Sequence, residues 1–170
     1  ASTITVETVA RALLRRLPLA EEEARKNKTN VDIARVLEAS VKEACAAVFD
    51  MARRQPELTG MGSTVTAMMV YGGNAWFGHV GDSRAYLVRD GEIFQVTEDH
   101  SLVQEQVAAG LITPEQAKSS LIRNIITRSI GFEREVEVDT AAVPLQRGDK
   151  FLLCSDGLTG HLDDDEILDI

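Results

Sequence analysis

The chain is poor in cysteine, has no long apolar run and shows no basic face, and each absence removes a class of protein. Two cysteines in 170 residues cannot provide a disulfide framework. Cys45 falls in a helix-like apolar pattern and Cys154 in a strand-like one, so both read as small buried hydrophobes. That usage suits a reducing compartment. No apolar stretch approaches the roughly 18 to 20 residues that a membrane-crossing helix needs. The first residues also lack the charged start and apolar block of a signal peptide. The expectation is a soluble, cytoplasmic protein, or the cytoplasmic part of a longer one, without membrane insertion. A net charge of −9, with basic residues scattered apart from pairs such as Arg15-Arg16 and Arg53-Arg54, argues against a nucleic-acid surface.

The familiar catalytic signatures are missing as well. There is no Gly-rich phosphate loop with its lysine, no Cys/His zinc spacing and no Gly-x-Ser-x-Gly elbow. The three histidines, His79, His100 and His161, lie far apart in sequence, so each reads as structural or exposed unless a partner reaches it. Asp163-Asp164-Asp165-Glu166 lacks the alternating oxygen ligands and central glycine of a calcium loop. Capping and dipole complementarity at a helix start explain it better.

What remains is an ordinary globular composition, 44% hydrophobic and 26% charged, in a chain long enough for one domain with a core. Residues 3–55 read as a helical pair. Val6, Val9, Ala10, Leu13, Leu14 and Leu17 recur at helical spacing up to Pro18, and Glu21–Lys28 reads as a charged connector. Asn30 or Asp32 caps a longer helix with an apolar stripe from Ile33 to Phe49, closed by Pro56. Residues 63–97 read as strands at 64–71, 75–80, 85–88 and 93–96, with Asp90-Gly91 as a type I′ hairpin signal. Connections this short predict an antiparallel meander. Residues 98–134 read as a helical insertion, with Thr113 and Pro114 starting a short helix and 123–131 ambiguous. Residues 135–170 read as strands at 136–143 and 150–154, then a last helix. The class is α+β and layered, in a single domain.

Two acidic turns follow apolar runs, Gly81-Asp82-Ser83-Arg84 and Ser155-Asp156-Gly157. A carboxylate at the end of a buried strand is costly unless a positive group compensates it, and two of them can share a hard metal ion. They can equally be turn-formers, since Asp and Gly are turn residues.

The wording around these turns is more specific. Gly62-Ser63-Thr64, Gly78 to Leu87, Thr97-Glu98-Asp99-His100-Ser101-Leu102-Val103 and Leu153 to Thr159 occur in that order. Together they resemble the bacterial PP2C (PPM) family of metal-dependent serine/threonine protein phosphatases. The resemblance implies an α-β-β-α sandwich of antiparallel sheets flanked by helix pairs, with a Mn²⁺ or Mg²⁺ cluster of two or three ions at one end. It implies that Asp156 is a ligand of the cluster and that Asp82 holds a more labile metal, both in catalytic positions. Ser83, Arg84, Ser155 and Gly157 then support the turns. Ser101–Gly131 corresponds to the family's mobile flap, which contains Arg123 and places Asn124 as a candidate for the labile metal. Ser120-Leu121 stands where bacterial relatives often carry His-Pro.

The family's first strands, with an Arg for phosphate and a Glu for metal, have no match here. Neither do its Asp-Gly-x-Gly-Gly turn and its final Asp-Asn motif. The expectation is therefore the central segment of a domain incomplete at both ends, inactive alone. Its parent would hydrolyse phosphoserine and phosphothreonine in protein substrates of a Ser/Thr kinase through a metal-activated water. Three rivals stay open: a non-catalytic PP2C-like binding module, a sporulation-type PPM phosphatase acting on an anti-sigma antagonist, and a plain scaffold in which both aspartates only make turns.

Overall fold

The stripe of the second helix decides what the first part of the chain buries. α2 (Ile33–Arg54) starts at Asp32, whose Oδ1 accepts the Arg35 N–H at 3.0 Å. Its face of Ile33, Val36, Leu37, Val41, Ala44, Cys45 and Val48 is buried. α1 (Ser2–Asn27) packs along it, and Arg15 and Arg16 both donate to the Glu43 carboxylate, at 2.6 and 2.9 Å.

The computed structural model describes residues 1–170 and divides into two units. The first comprises residues 1–80 and 129–145. Its sheet has the order β1-β2-β5, all antiparallel, from β1 (Val65–Tyr71), β2 (Asn74–Val80) and β5 (Asp139–Pro144). Gly78 of β2 faces α2 so closely that a Cβ there would meet Leu37 Cβ at 3.4 Å and Val41 Cγ2 at 3.6 Å. The core gathers Val9 from α1, Val41, Ala44, Cys45 and Val48 from α2, Val80 from β2, and Ile130.

The second unit comprises residues 81–128 and 146–170. Its sheet has the order β4-β3-β6, from β3 (Arg84–Arg89), β4 (Glu92–Gln95) and β6 (Lys150–Cys154), again antiparallel. Asp90 and Gly91 both take positive φ, 54° and 81°, as the type I′ reading requires. α3 (Leu102–Ala108) and α4 (Pro114–Lys118) follow; α5 (Asp156–Thr159) and α6 (Asp164–Leu168) end the unit. Thr113 with Gln116 and Asp163 with Glu166 form reciprocal capping boxes, so the acidic run at 163–166 is a helix start.

Four expectations are corrected. α1 does not stop at Pro18 but runs on to Asn27, absorbing the supposed connector. Pro18 and Leu14, whose carbonyl loses its helical partner, are both exposed, so water can satisfy that group, and buried Ala24 holds the later turns. The meander breaks between β2 and β3, which belong to different sheets. Gly81, at φ +112°, turns the chain there. The strand expected at 136–143 begins only at Asp139, because His79 is its last partner on β2; Val136 and Val138 pack on the core outside the ladder. Finally, Asp156-Gly157 is not a turn but the first residues of α5.

One pH effect follows from the turn before β6. Arg89 donates to both Asp149 oxygens at 2.8 Å, and the Gln146 N–H donates to Asp149 Oδ2 at 2.8 Å. The Arg89 fork, aided by that backbone N–H, holds the Asp149 carboxyl down from an ordinary 3.8 to about 2. A depressed carboxyl stabilises the fold above its unfolded pKa and loses that contribution as pH falls through its folded one. The difference in thermal midpoint between the native chain and Asp149→Asn, measured across an acid series, is therefore expected to close between about pH 4 and about pH 2.

Candidate functional site

Strand register brings the two acidic segments together. Arg84 of β3 pairs with Cys154 of β6 as the last ladder pair in that direction. Two residues beyond this pair, on each strand's own side, stand Asp82 and Asp156. Both residues therefore lie just past the same end of the β3–β6 ladder, Asp82 in the bend before β3 and Asp156 at the start of α5. Both line a cleft of about 480 Å³ within the second unit.

Asp82 is half-buried and Asp156 exposed, at the first position of α5. Burial raises the Asp82 carboxyl above the ordinary carboxylate range, and the charge of Asp156 raises it further. Asp99 adds to this, while a backbone N–H and Arg84 oppose it without prevailing. Two mutually repelling carboxylates in a partly desolvated cleft make a place where a cation is favoured.

Arg84 is committed elsewhere. Its Nε and Nη2 donate to the two Asp99 oxygens at 2.8 Å each, and its Nη1 donates to the Tyr86 hydroxyl at 2.9 Å. Tyr86, fully buried, donates in turn to Asp164 Oδ1 at 3.0 Å, joining β3 to α6. Burial opposes the charge of Arg84, but the Asp99 fork outweighs it and holds the guanidinium above its usual range. Tyr86 is pushed up to about 12, chiefly by burial. Neither Asp99 nor this network was singled out in the sequence, although Asp99 lies within the Thr97–Val103 motif.

The remaining predicted residues have plainer surroundings. Arg123 and Asn124 are exposed and line the same cleft, and Arg123 Nη1 donates to the Lys118 carbonyl at 3.2 Å. Ser155 is the N-cap of α5 without a side-chain cap bond, and Gly157 follows Asp156 in its first turn. Ser83 is half-buried between Asp82 and Arg84. His161 is exposed at the cleft, whereas His79 and His100 are buried in separate units. A larger groove of about 620 Å³ in the first unit has its basic residues already paired, Lys42 with Glu38 and Arg134 with Asp50.

Gly160, at the C-cap of α5, is held against Asp156: its N–H donates to the Asp156 carbonyl at 2.7 Å, and a Cβ would stand 2.7 Å from the same oxygen. Its φ of −76° is open to any residue, so the constraint is steric alone. Gly160→Ala is expected to open the last turn of α5 and displace Asp156. Stability should fall by about 1 to 3 kcal/mol, read as a lower urea midpoint with an unchanged slope.

Residues 1–169 match the Protein phosphatase 2C family. The chain belongs to this family. Among its protein phosphatase 2C relatives is the serine/threonine protein phosphatase PstP of Mycobacterium tuberculosis, 41% identical over 138 residues, which are 81% of this chain and 27% of that protein. Another is the serine/threonine phosphatase stp of Listeria welshimeri, 39% identical over 142 residues, 84% of this chain and 56% of that one. The chain thus spans between about a quarter and just over half the length of these relatives. The crystal structure of the PstP catalytic domain in complex with two manganese ions superposes with a TM-score of 0.69 at 34% identity, covering 96% of this chain and 66% of that one. The mixture of helices and antiparallel sheets is accordingly the protein phosphatase 2C fold, and the expected α+β class holds. No three His, Cys, Asp or Glu side chains converge as a metal-ligand group in the chain, so Asp82 and Asp156 are a pair without a third.

Proposed function

We propose that the chain is the central part of a phosphatase domain that hydrolyses phosphoserine and phosphothreonine in proteins. The observation that carries this reading is the pairing of Asp82 and Asp156 at one cleft in a protein phosphatase 2C chain. Their donor chemistry fits Mn²⁺ or Mg²⁺, which prefer hard carboxylate oxygens, and their repulsion is what a divalent cation relieves. Asp156 and Asp82 would hold the metal, with Asn124 as a further oxygen donor on the same cleft. When bound, such ions acidify a water and offset charge on phosphorus. The rest falls to the chain itself. Arg84, forked by Asp99, holds the start of β3, and Gly160 holds the backbone of Asp156. Lys118 and Arg123 are the cleft's cations beside the paired Arg84, set against six carboxylates, so attraction of a phosphorylated segment would depend on bound metal ions.

The substrate class implied is a phosphoprotein supplied by a serine/threonine kinase. A cytoplasmic setting is part of the proposal; both cysteines are free and no helix is long and apolar enough to cross a membrane. With two carboxylates and no third His, Cys, Asp or Glu side chain beside them, the 170 residues alone are proposed to be inactive. The same observation favours a second reading, a non-catalytic module that uses the cleft for binding.

The test is release of phosphate from a phosphothreonine peptide, with Mn²⁺, by a longer protein that carries this chain and by the 170 residues alone. Hydrolysis by the first and none above background by the second is expected. A longer protein inert under every divalent metal would leave the non-catalytic reading standing.

A further inference from the structure

We propose that His100 is the positioning residue that sets where the Asp82 carboxylate stands, tying it to the helical excursion that forms the other wall of the cleft. The inference rests on the reading of Asp82 as a cation ligand. His100 is 5% exposed and makes two bonds to one residue: its N–H donates to the Gly81 carbonyl at 2.8 Å, and its Nδ1 accepts the Gly81 N–H at 3.1 Å. Both backbone groups of Gly81 are thereby used, at a φ of +112° that favours glycine, immediately before Asp82. The other ring nitrogen, Nε2, faces Arg128 Nη1 at 3.3 Å, so both nitrogens of the imidazole are engaged within the second unit.

The same residue closes the neck of the excursion. The Thr127 N–H donates to the His100 carbonyl at 2.8 Å, the Leu102 N–H donates to the Ile125 carbonyl at 2.9 Å, and Ser101 bridges Ile126 in antiparallel fashion. Residues 103–124, with α3, α4, Arg123 and Asn124, thus leave and return through a clamp whose other side is Gly81. A displacement of the excursion reaches Asp82 through one imidazole and one peptide unit. His100 touches no reacting atom; it acts through Gly81.

The experiment compares Mn²⁺ uptake by the 170-residue chain, read from the electron paramagnetic resonance of free Mn²⁺, with exchange of the Gly81 amide. His100→Leu fills the site without an acceptor. His100→Asn keeps an acceptor at the distance of Nδ1. Val48→Ala opens a cavity in the α2 core and reports general loosening. All are compared below their melting points with native circular dichroism. His100→Leu is expected to weaken Mn²⁺ uptake about tenfold and to speed Gly81 exchange, because a buried N–H loses its only acceptor. His100→Asn should restore most of both, and Val48→Ala should change neither. If His100→Leu fails to fold, His100→Gln, whose acceptor lies one bond too far for Gly81, replaces it with the same expectation. Unchanged uptake in a folded His100→Leu or His100→Gln overturns the inference, as does equal weakening by Val48→Ala. If the native chain shows no uptake that Asp156→Asn abolishes, the reading of the acidic pair fails and this inference with it.

Discussion

Replacing Asp156 by Asn is expected to remove nearly all Mn²⁺-dependent phosphatase activity from a protein carrying this chain while leaving its fold intact. Asn keeps the size of the side chain and removes its charge. Asp156 is exposed at the start of α5, so the structural loss is confined to a favourable charge at a helix start, about 0.3 to 1 kcal/mol. The chemical loss is of another order. A metal stabilises charge in phosphoryl transfer by several kcal/mol, and about 4 kcal/mol corresponds to roughly a thousandfold in rate. The diagnostic result is a fall of about that size in kcat at saturating Mn²⁺, with an almost unchanged thermal midpoint. Asp82→Asn should differ in kind. Its carboxyl is raised by burial and by Asp156, so removing the charge relieves strain in the metal-free protein. Its midpoint should hold or rise while the Mn²⁺ requirement increases. Equal activity in native and Asp156→Asn proteins would sink the metal reading, whatever the stability.

The parts of this protein legible in its sequence are those governed by neighbours along the chain. The apolar stripe of α2, the capping boxes at Thr113 and Asp163 and the Asp90-Gly91 turn all depend on residues within one or two turns of each other. Sheet order is not of that kind. The run from Val65 to Gln95 looks like a meander because every connection is short, yet Gly81 passes the chain from one sheet to another. Its positive φ is allowed by the glycine but not announced by it. Helix α1 passed Pro18 because solvent can satisfy one freed carbonyl, a fact of exposure and not of propensity. The acidic pair was visible only through the wording of its motifs; what joins Asp82 to Asp156 is the β3–β6 register, set between strands far apart in the chain. Asp99 and His100 were quoted within a motif and given no role, because their partners Arg84 and Gly81 lie across a hairpin that carries no periodic signal.

The largest effect on stability is expected at a residue with no place in the cleft. Gly131 has φ +89°, and a Cβ built on it would stand 2.3 Å from Val48 Cγ1, 3.1 Å from Val48 Cβ and 3.2 Å from the Met61 carbonyl oxygen. Its N–H donates to Cys45 Sγ at 3.4 Å, and the Cys45 thiol donates to the Glu133 carbonyl at 3.2 Å. The backbone after Ile130 is therefore fixed against α2, with Val48 and Ile130 both wholly buried. Val48 is β-branched on a helix and has one strongly preferred rotamer, so it cannot swing aside. Gly131→Ala would meet two costs at once: about 1 to 3 kcal/mol for a side chain at positive φ and about 1 to 3 kcal/mol for overpacking a filled core. The expected loss is about 3 to 5 kcal/mol, a large share of what a domain of this size has. Urea unfolding would show it as a lower midpoint with an unchanged slope. Pairing the change with Val48→Ala separates the two costs. The double variant should recover the steric part and keep the backbone part, so that the two substitutions together cost less than their sum. A loss below about 1 kcal/mol for Gly131→Ala would mean that the segment after Ile130 can leave α2 without disturbing the core, contrary to the packing of Cys45, Val48 and Ile130.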